Sequence, residues 1–183
     1  EYPLHGCCPC SHVNYTLTSA PIIVHACHCT HCQRETGTAF AFNAFYEPDR
    51  VVVTLSTGET GPEAEERMFQ SAVPSLKGGI RGQIMSRCPK CFSTLWSSYT
   101  AGSALKIVRA GTIDGVVDEQ GRYVPCGGLR PDAHIYVASA CGWVNLESER
   151  VYQGMGVKDE YWSKESLERF EKFTTGKRSA ELV

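Results

Sequence analysis

Residues 23–32 read IVHACHCTHC and place three thiols within six positions, Cys27, Cys29 and Cys32, with His28 and His31 between them. Thiols this dense serve a disulfide framework, a closed structural metal site, or a metal that keeps a position for substrate. The distribution of the ten cysteines decides the first point: seven sit in tight sets, Cys8-x-Cys10, Cys27-x-Cys29-x-x-Cys32 and Cys88-x-x-Cys91. A disulfide scaffold spreads its cysteines to staple distant segments and is usually a shorter chain. Sulfurs one or two residues apart instead converge on one centre, as a tetrahedral soft-metal site requires.

Cys88-Pro89-Lys90-Cys91 is a zinc-knuckle pattern, in which a tight turn lets both sulfurs reach one ion. It needs two more ligands. Cys8 and Cys10 supply them if the first hairpin folds back on residues 85–95, and spacing alone leaves Cys7 as an alternative to Cys8. A four-cysteine zinc site contributes folding free energy directly. Cys27, Cys29 and Cys32 then remain as three sulfurs with no obvious fourth. His25, His28 or His31 would close the site and make it structural; residues between alternating ligands usually point away from the ion, which argues against His28 and His31. Without a histidine, a position stays open for water or substrate. Three thiolates also make zinc a weaker Lewis acid than three neutral histidines do, and so a poorer source of hydroxide. A substrate thiol suits such a site, because zinc deprotonates a bound thiol. Thiol chemistry is therefore expected over water chemistry.

The rest of the chain is compatible with one domain and a tail. Of 183 residues 42% are hydrophobic and 21% charged, with a formal net charge of −2, which gives no sign of a nucleic-acid or anionic-membrane partner. No apolar run approaches the roughly 18 residues of a membrane helix, and no secretory signal is visible, so a cytoplasmic location is expected. Short β segments dominate: 13–18, 39–46 (with Phe40, Phe42, Ala44 and Tyr46 on one face), 50–56, 82–86, 93–99, 104–113 and 133–139. Residues 57–82, rich in glycine and charge, read as a long hairpin connection or flap. Helix is expected only near the C-terminus, over about 164–173, with Ser163 as cap and Leu167, Phe170 and Phe173 along one stripe. The last ten residues, TTGKRSAELV, read as a frayed tail.

With these residues in hand, the chain resembles the glutathione-dependent formaldehyde-activating enzymes. The motifs that carry the resemblance are GCCPCSHVNY (6–15), CHCTHCQRETG (27–37), CPKCFSTLW (88–96), AGTID (110–114) and HIYV (134–137), with Trp143 following. The resemblance implies an Mss4-like fold, mainly β, of short antiparallel sheets stapled by zinc. Its domain would occupy residues 1–150, and 151–183 would be a C-terminal extension. It further implies two zinc ions per chain: a structural one on Cys8, Cys10, Cys88 and Cys91, and a second, catalytic one on Cys27, Cys29 and Cys32. The implied activity is that of a carbon–sulfur lyase joining a thiol, with glutathione as cosubstrate, to an aldehyde-derived or larger electrophilic carbon. Its partners would then be small molecules, with no nucleic acid and no membrane. Phe92 departs from the family, which usually has glycine there, and Ser11-His12 replaces a common Gly-Ala.

Other residues carry paired readings. Arg34 either pairs with a glutathione carboxylate or is a solvated arginine on a helical turn. Gly37 ends that turn at positive φ, and Thr38 lines the thiol pocket. His134 reads as a satisfied core histidine ahead of a general base, Cys126 and Cys141 as buried inert thiols, and Trp96, Trp143 and Trp162 as core or pocket wall. The alternative function is a non-catalytic zinc module that binds a protein. A methionine sulfoxide reductase is the third reading, and it leaves the three cysteines at 27–32 unexplained.

Overall fold

The computed structural model describes residues 2–73, 82–99 and 105–180. Two compact units emerge, one of Glu1–Pro21 with Phe45–Leu129 and one of Ile22–Ala44 with Arg130–Val183.

The first unit starts from three antiparallel strands in the order Leu4–Cys7, Val13–Leu17, Val51–Leu55. Val13, Tyr15 and Leu17 are buried and pair with Leu55, Val53 and Val51, also buried, while the residues between them are less so. This is the period of two that a one-face core demands. Gly6 lies across from Tyr15, and a Cβ there would collide with the phenol, which is held by the Thr112 hydroxyl at 2.7 Å. A second run of strands, Lys106–Arg109, Thr94–Tyr99, Gln83–Arg87 and Phe69–Val73, completes the unit. The short helix Pro62–Glu66 sends Glu65 to the buried Lys106 ammonium at 2.5 Å, and the same ammonium reaches the carbonyls of Pro48 and Val51 at 3.4 Å.

The second unit orders its strands Val151–Tyr152, Ala133–Ile135, Ile23–Cys27, Ala41–Tyr46. The pairings of Ala133–Ile135 with its two neighbours are parallel. All five residues of Ile23–Cys27 are buried, as expected of a strand covered on both faces. Behind it His25 accepts or donates a hydrogen bond with the Tyr161 hydroxyl at 3.0 Å. Trp162 stacks edge-on to Phe170 of the helix Lys164–Ala180, with centroids 5.3 Å apart. Residues beyond 150 are therefore part of this unit's core.

The mainly β architecture with a C-terminal helix stands as expected. Several details differ. Residues 57–73 are not a bare connection: they form the helix Pro62–Glu66 and the strand Phe69–Val73, because the latter gains a full ladder against Gln83–Arg87; the remainder of the expected flap, 74–81, lies outside the described residues. The C-terminal helix continues to Ala180 through the segment expected to fray, the Thr174 hydroxyl bonding back to the Phe170 carbonyl at 2.9 Å. Ser163 does cap it, accepting from the Ser166 N–H at 3.0 Å. Further helices occupy Thr30–Thr36 and Lys158–Tyr161. In Ala41–Tyr46, Asn43 is buried along with Ala44 and Tyr46, so the strict alternation fails where both faces are covered. The strands expected over 104–113 and 133–139 are cut short at Arg109 and Ile135 by 3₁₀ turns, and residue 104 lies outside the described residues.

Candidate metal centres

In the first unit two turns converge. Ser11 N–H bonds to the Cys8 carbonyl at 2.8 Å, and Phe92 N–H bonds to the Cys88 carbonyl at 3.0 Å. Each turn thus aims its two sulfurs to one side. Cys8, Cys10, Cys88 and Cys91 place their four Sγ atoms within 4.8 Å of one another, with Cys8–Cys10 at 3.5 Å and Cys10–Cys88 at 3.7 Å. A tetrahedral ion bound by thiolates at about 2.3 Å has sulfur–sulfur edges of about 3.8 Å, so the donor set fits such an ion. Main-chain N–H groups back the sulfurs, Val13 donating to Cys8 at 3.3 Å and Lys90 to Cys88 at 3.4 Å. Burial holds the Cys88 thiol up, at about 12. Four thiols this close together ionise together only around a cation. Of the two alternatives Cys7 and Cys8, Cys8 lies in this sulfur group, whereas Cys7 turns toward the Asp114 carboxylate, 3.9 Å away.

In the second unit Cys27 ends the strand Ile23–Cys27, Cys29 caps the helix Thr30–Thr36, and Cys32 lies in its first turn. These Sγ atoms also lie within 4.8 Å of one another, Cys27–Cys29 at 3.6 Å. Among the described residues no histidine, carboxylate or fourth cysteine joins them. The Cys29 thiol is held well below its ordinary range by hydrogen bonds from the Cys27 and Cys32 thiols, and Cys32 is pushed up by its hydrogen bonds with Cys27 and Cys29. Three convergent sulfurs form a donor set for a soft cation.

The three nearby histidines stay outside the sulfur group. His25 faces Tyr161, and burial pushes it down to about 4. His28 is fully buried and bonds through Nε2 to His134 Nδ1 at 2.9 Å, and His134 Nε2 lies 3.7 Å from Glu149. His134 is thus the satisfied core histidine expected. His31, half-buried in the first turn of the helix, stays outside the sulfur group.

Arg34 is exposed in the last turn of the helix. Gly37 caps that helix at φ 67, its N–H bonding to the Gln33 carbonyl at 2.8 Å. The Thr38 hydroxyl donates to the Phe40 carbonyl at 2.6 Å. Trp96 and Trp162 are core, but Trp143 is 78% exposed, in a turn closed by Val144 N–H on the Cys141 carbonyl. Cys126 and Cys141 are half-buried rather than buried, since both sit in turns. Two residues inside the quoted motifs, Gln33 and Tyr136, receive no role from sequence alone. Gln33 sends Nε2 to the carbonyls of His28 (2.8 Å) and Ser139 (2.7 Å), and Tyr136 adopts a left-handed backbone, φ 56, without being glycine or asparagine.

The fold and these two sulfur groups define a class, mainly β proteins whose cysteine clusters can hold metal ions. Within it the affiliation is specific: residues 3–139 match the model of the family described as glutathione-dependent formaldehyde-activating enzyme, and the chain belongs to that family. A search of curated proteins finds no match. Among the described residues no helix is long and apolar enough to cross a membrane.

Proposed function

We propose that the chain is a zinc-dependent enzyme of the carbon–sulfur lyase type, joining glutathione to an aldehyde-derived carbon or releasing it. The observation that carries this reading is the unequal count of donors: four sulfurs converge in the first unit and three in the second. Tetrahedral zinc is saturated by four protein ligands, whereas three leave one coordination place for a ligand from outside. Zinc at Cys27, Cys29 and Cys32 would supply a soft site that holds a thiol as its thiolate.

The chain's own residues would do the rest. The Cys29 cap and the Cys32 turn present the sulfurs on a rigid element. The exposed Arg34 guanidinium would receive a glutathione carboxylate bidentately, with Gly37 and Thr38 at the edge of the pocket. Holding thiol and aldehyde together replaces a bimolecular encounter by a positioned one. Cys8, Cys10, Cys88 and Cys91 would hold a structural zinc, in a family-type domain over 1–150 with 151–183 as its extension. A cytoplasmic setting, where thiols stay reduced, suits both groups.

The test is metal content with a thiol titration. Two metals per chain, and a cobalt-substituted spectrum that shifts with glutathione in the native chain but not in Cys29→Ser, are expected. Two metals without a shift would instead favour a non-catalytic zinc module, and one metal would end the two-site reading.

A further inference from the structure

Tyr136 follows the strand Ala133–Ile135 with φ 56 and ψ 40. Bulky side chains avoid this region, and they persist there only where surrounding contacts over-determine the backbone. Those contacts tie the residue to the cysteine loop. Just before it, Ile135 pairs in register with Cys27 and its carbonyl receives the His28 N–H at 2.9 Å. Just after it, the Ser139 carbonyl accepts from Gln33, which also holds the His28 carbonyl. Tyr136 itself donates its N–H to Gly154 at 2.9 Å. The stitching sets the phenol within electrostatic range of the Cys27, Cys29 and Cys32 sulfurs while leaving the residue 37% exposed.

Several neighbouring polar groups are already committed, although His31 Nε2 is buried without a hydrogen-bond partner among the described residues. The Thr36 hydroxyl is held by the Cys32 carbonyl at 2.8 Å, that of Thr38 by Phe40, and His28 by His134. Among the described residues the Tyr136 hydroxyl has no hydrogen-bond partner. The phenol O–H is a hydrogen-bond donor, and burial, followed by the nearby cysteines, raises its pKa above the ordinary range.

We propose that the Tyr136 hydroxyl donates a hydrogen bond to the carbonyl oxygen of the aldehyde as the thiol adds to it. This assignment rests on the thiol–aldehyde reading above. In the step, the sulfur lone pair forms the carbon–sulfur bond and the carbonyl π pair moves to oxygen. The proton lost by the thiol ends on that oxygen, and Tyr136 keeps its own. In the reverse direction the hydroxyl proton returns to sulfur as the carbon–sulfur bond breaks. A donor preset at the oxygen acts on charge that develops only in the transition state.

The experiment compares the metal-loaded full chain with Tyr136→Phe and Tyr136→Gly, the second being at ease in a left-handed backbone. Two quantities are read: glutathione affinity from the cobalt spectrum, and kcat with formaldehyde above the uncatalysed rate. Both variants are expected to lose about 100-fold in kcat, as for removal of one oxyanion donor, with glutathione affinity within about twofold of the native value. Native kcat in Tyr136→Phe overturns the assignment, as does an equal loss of glutathione affinity and rate, which marks a merely structural residue. A native chain that binds glutathione but gives no rate above background overturns the thiol–aldehyde reading itself, and the Tyr136 role with it.

Discussion

Ser11 and Phe92 share one backbone conformation, φ 54 and φ 59, each directly after the last cysteine of its turn in the four-sulfur group. Left-handed residues cost L-amino acids about 1–2 kcal/mol and glycine almost nothing. The departures from glycine at these two positions are therefore real strain in a required turn, carried by the hydrogen bonds Ser11 N–H to Cys8 and Phe92 N–H to Cys88. Ser11→Gly is expected to stabilise the metal-loaded protein by about 1 kcal/mol, read as a higher denaturant midpoint at unchanged slope. Phe92→Gly should be close to neutral. It relieves the same strain but loses the edge contact with Phe69 at 5.6 Å, and such pairs contribute about 0.5–1.5 kcal/mol.

The two cysteine groups should respond differently to the loss of one sulfur. Cys88 is fully buried and shared between two N–H donors and the cluster. Cys88→Ser should abolish cooperative unfolding, since structural zinc sites contribute on the order of 10 kcal/mol to folding. Cys29→Ser should keep a cooperative transition and retain one metal per chain. Circular dichroism melts with metal analysis on the same samples separate these outcomes.

Tyr161 closes the back of the cysteine-bearing strand. Its hydroxyl bonds His25 Nε2 at 3.0 Å and the Met155 carbonyl at 3.2 Å. Tyr161→Phe leaves that buried imidazole nitrogen unsatisfied, and a cost of about 1–3 kcal/mol is expected in urea denaturation. Removal of residues after 150 should be far worse, because Tyr161, Trp162 and Phe170 leave together. No effect of the truncation on stability would refute the placement of this segment in the core.

Lys106 is a buried cation paired with Glu65 at 2.5 Å, its single carboxylate partner among the described residues; the side chains are 7% and 35% exposed. Lys106→Ala removes the ammonium that ties Pro48, Val51 and Glu65 together, and about 3 kcal/mol should be lost. Glu65→Gln should cost less, since its side chain reaches solvent and the two carbonyls still hold the ammonium. Equal losses in the two variants would contradict this ranking.

What could be read from the chain is what close spacing encodes. A turn between Cys88 and Cys91 brings two sulfurs together whatever surrounds it, and the cap at Ser163 and the glycine at 37 act on hydrogen bonds three or four residues away. The sulfur groups, the β-rich architecture and the terminal helix therefore lay in the sequence. The strand Phe69–Val73 did not. Its residues are half-exposed and without clear alternation, and its ladder partner lies beyond a further connection.

Tertiary structure decided the remainder, because those features join segments that no local pattern connects. The gathering of Cys8 and Cys10 with a second pair of sulfurs needs Cys88, 78 positions on from Cys10. The turning of His28 away from the sulfurs needs His134, 106 positions later. The pairing of Ile135 with Cys27 carries Tyr136 to the cysteine loop. Sequence alone determined which atoms can bind a soft metal; register between distant strands determined which side chains stand around it, since only that register fixes where each side chain lies.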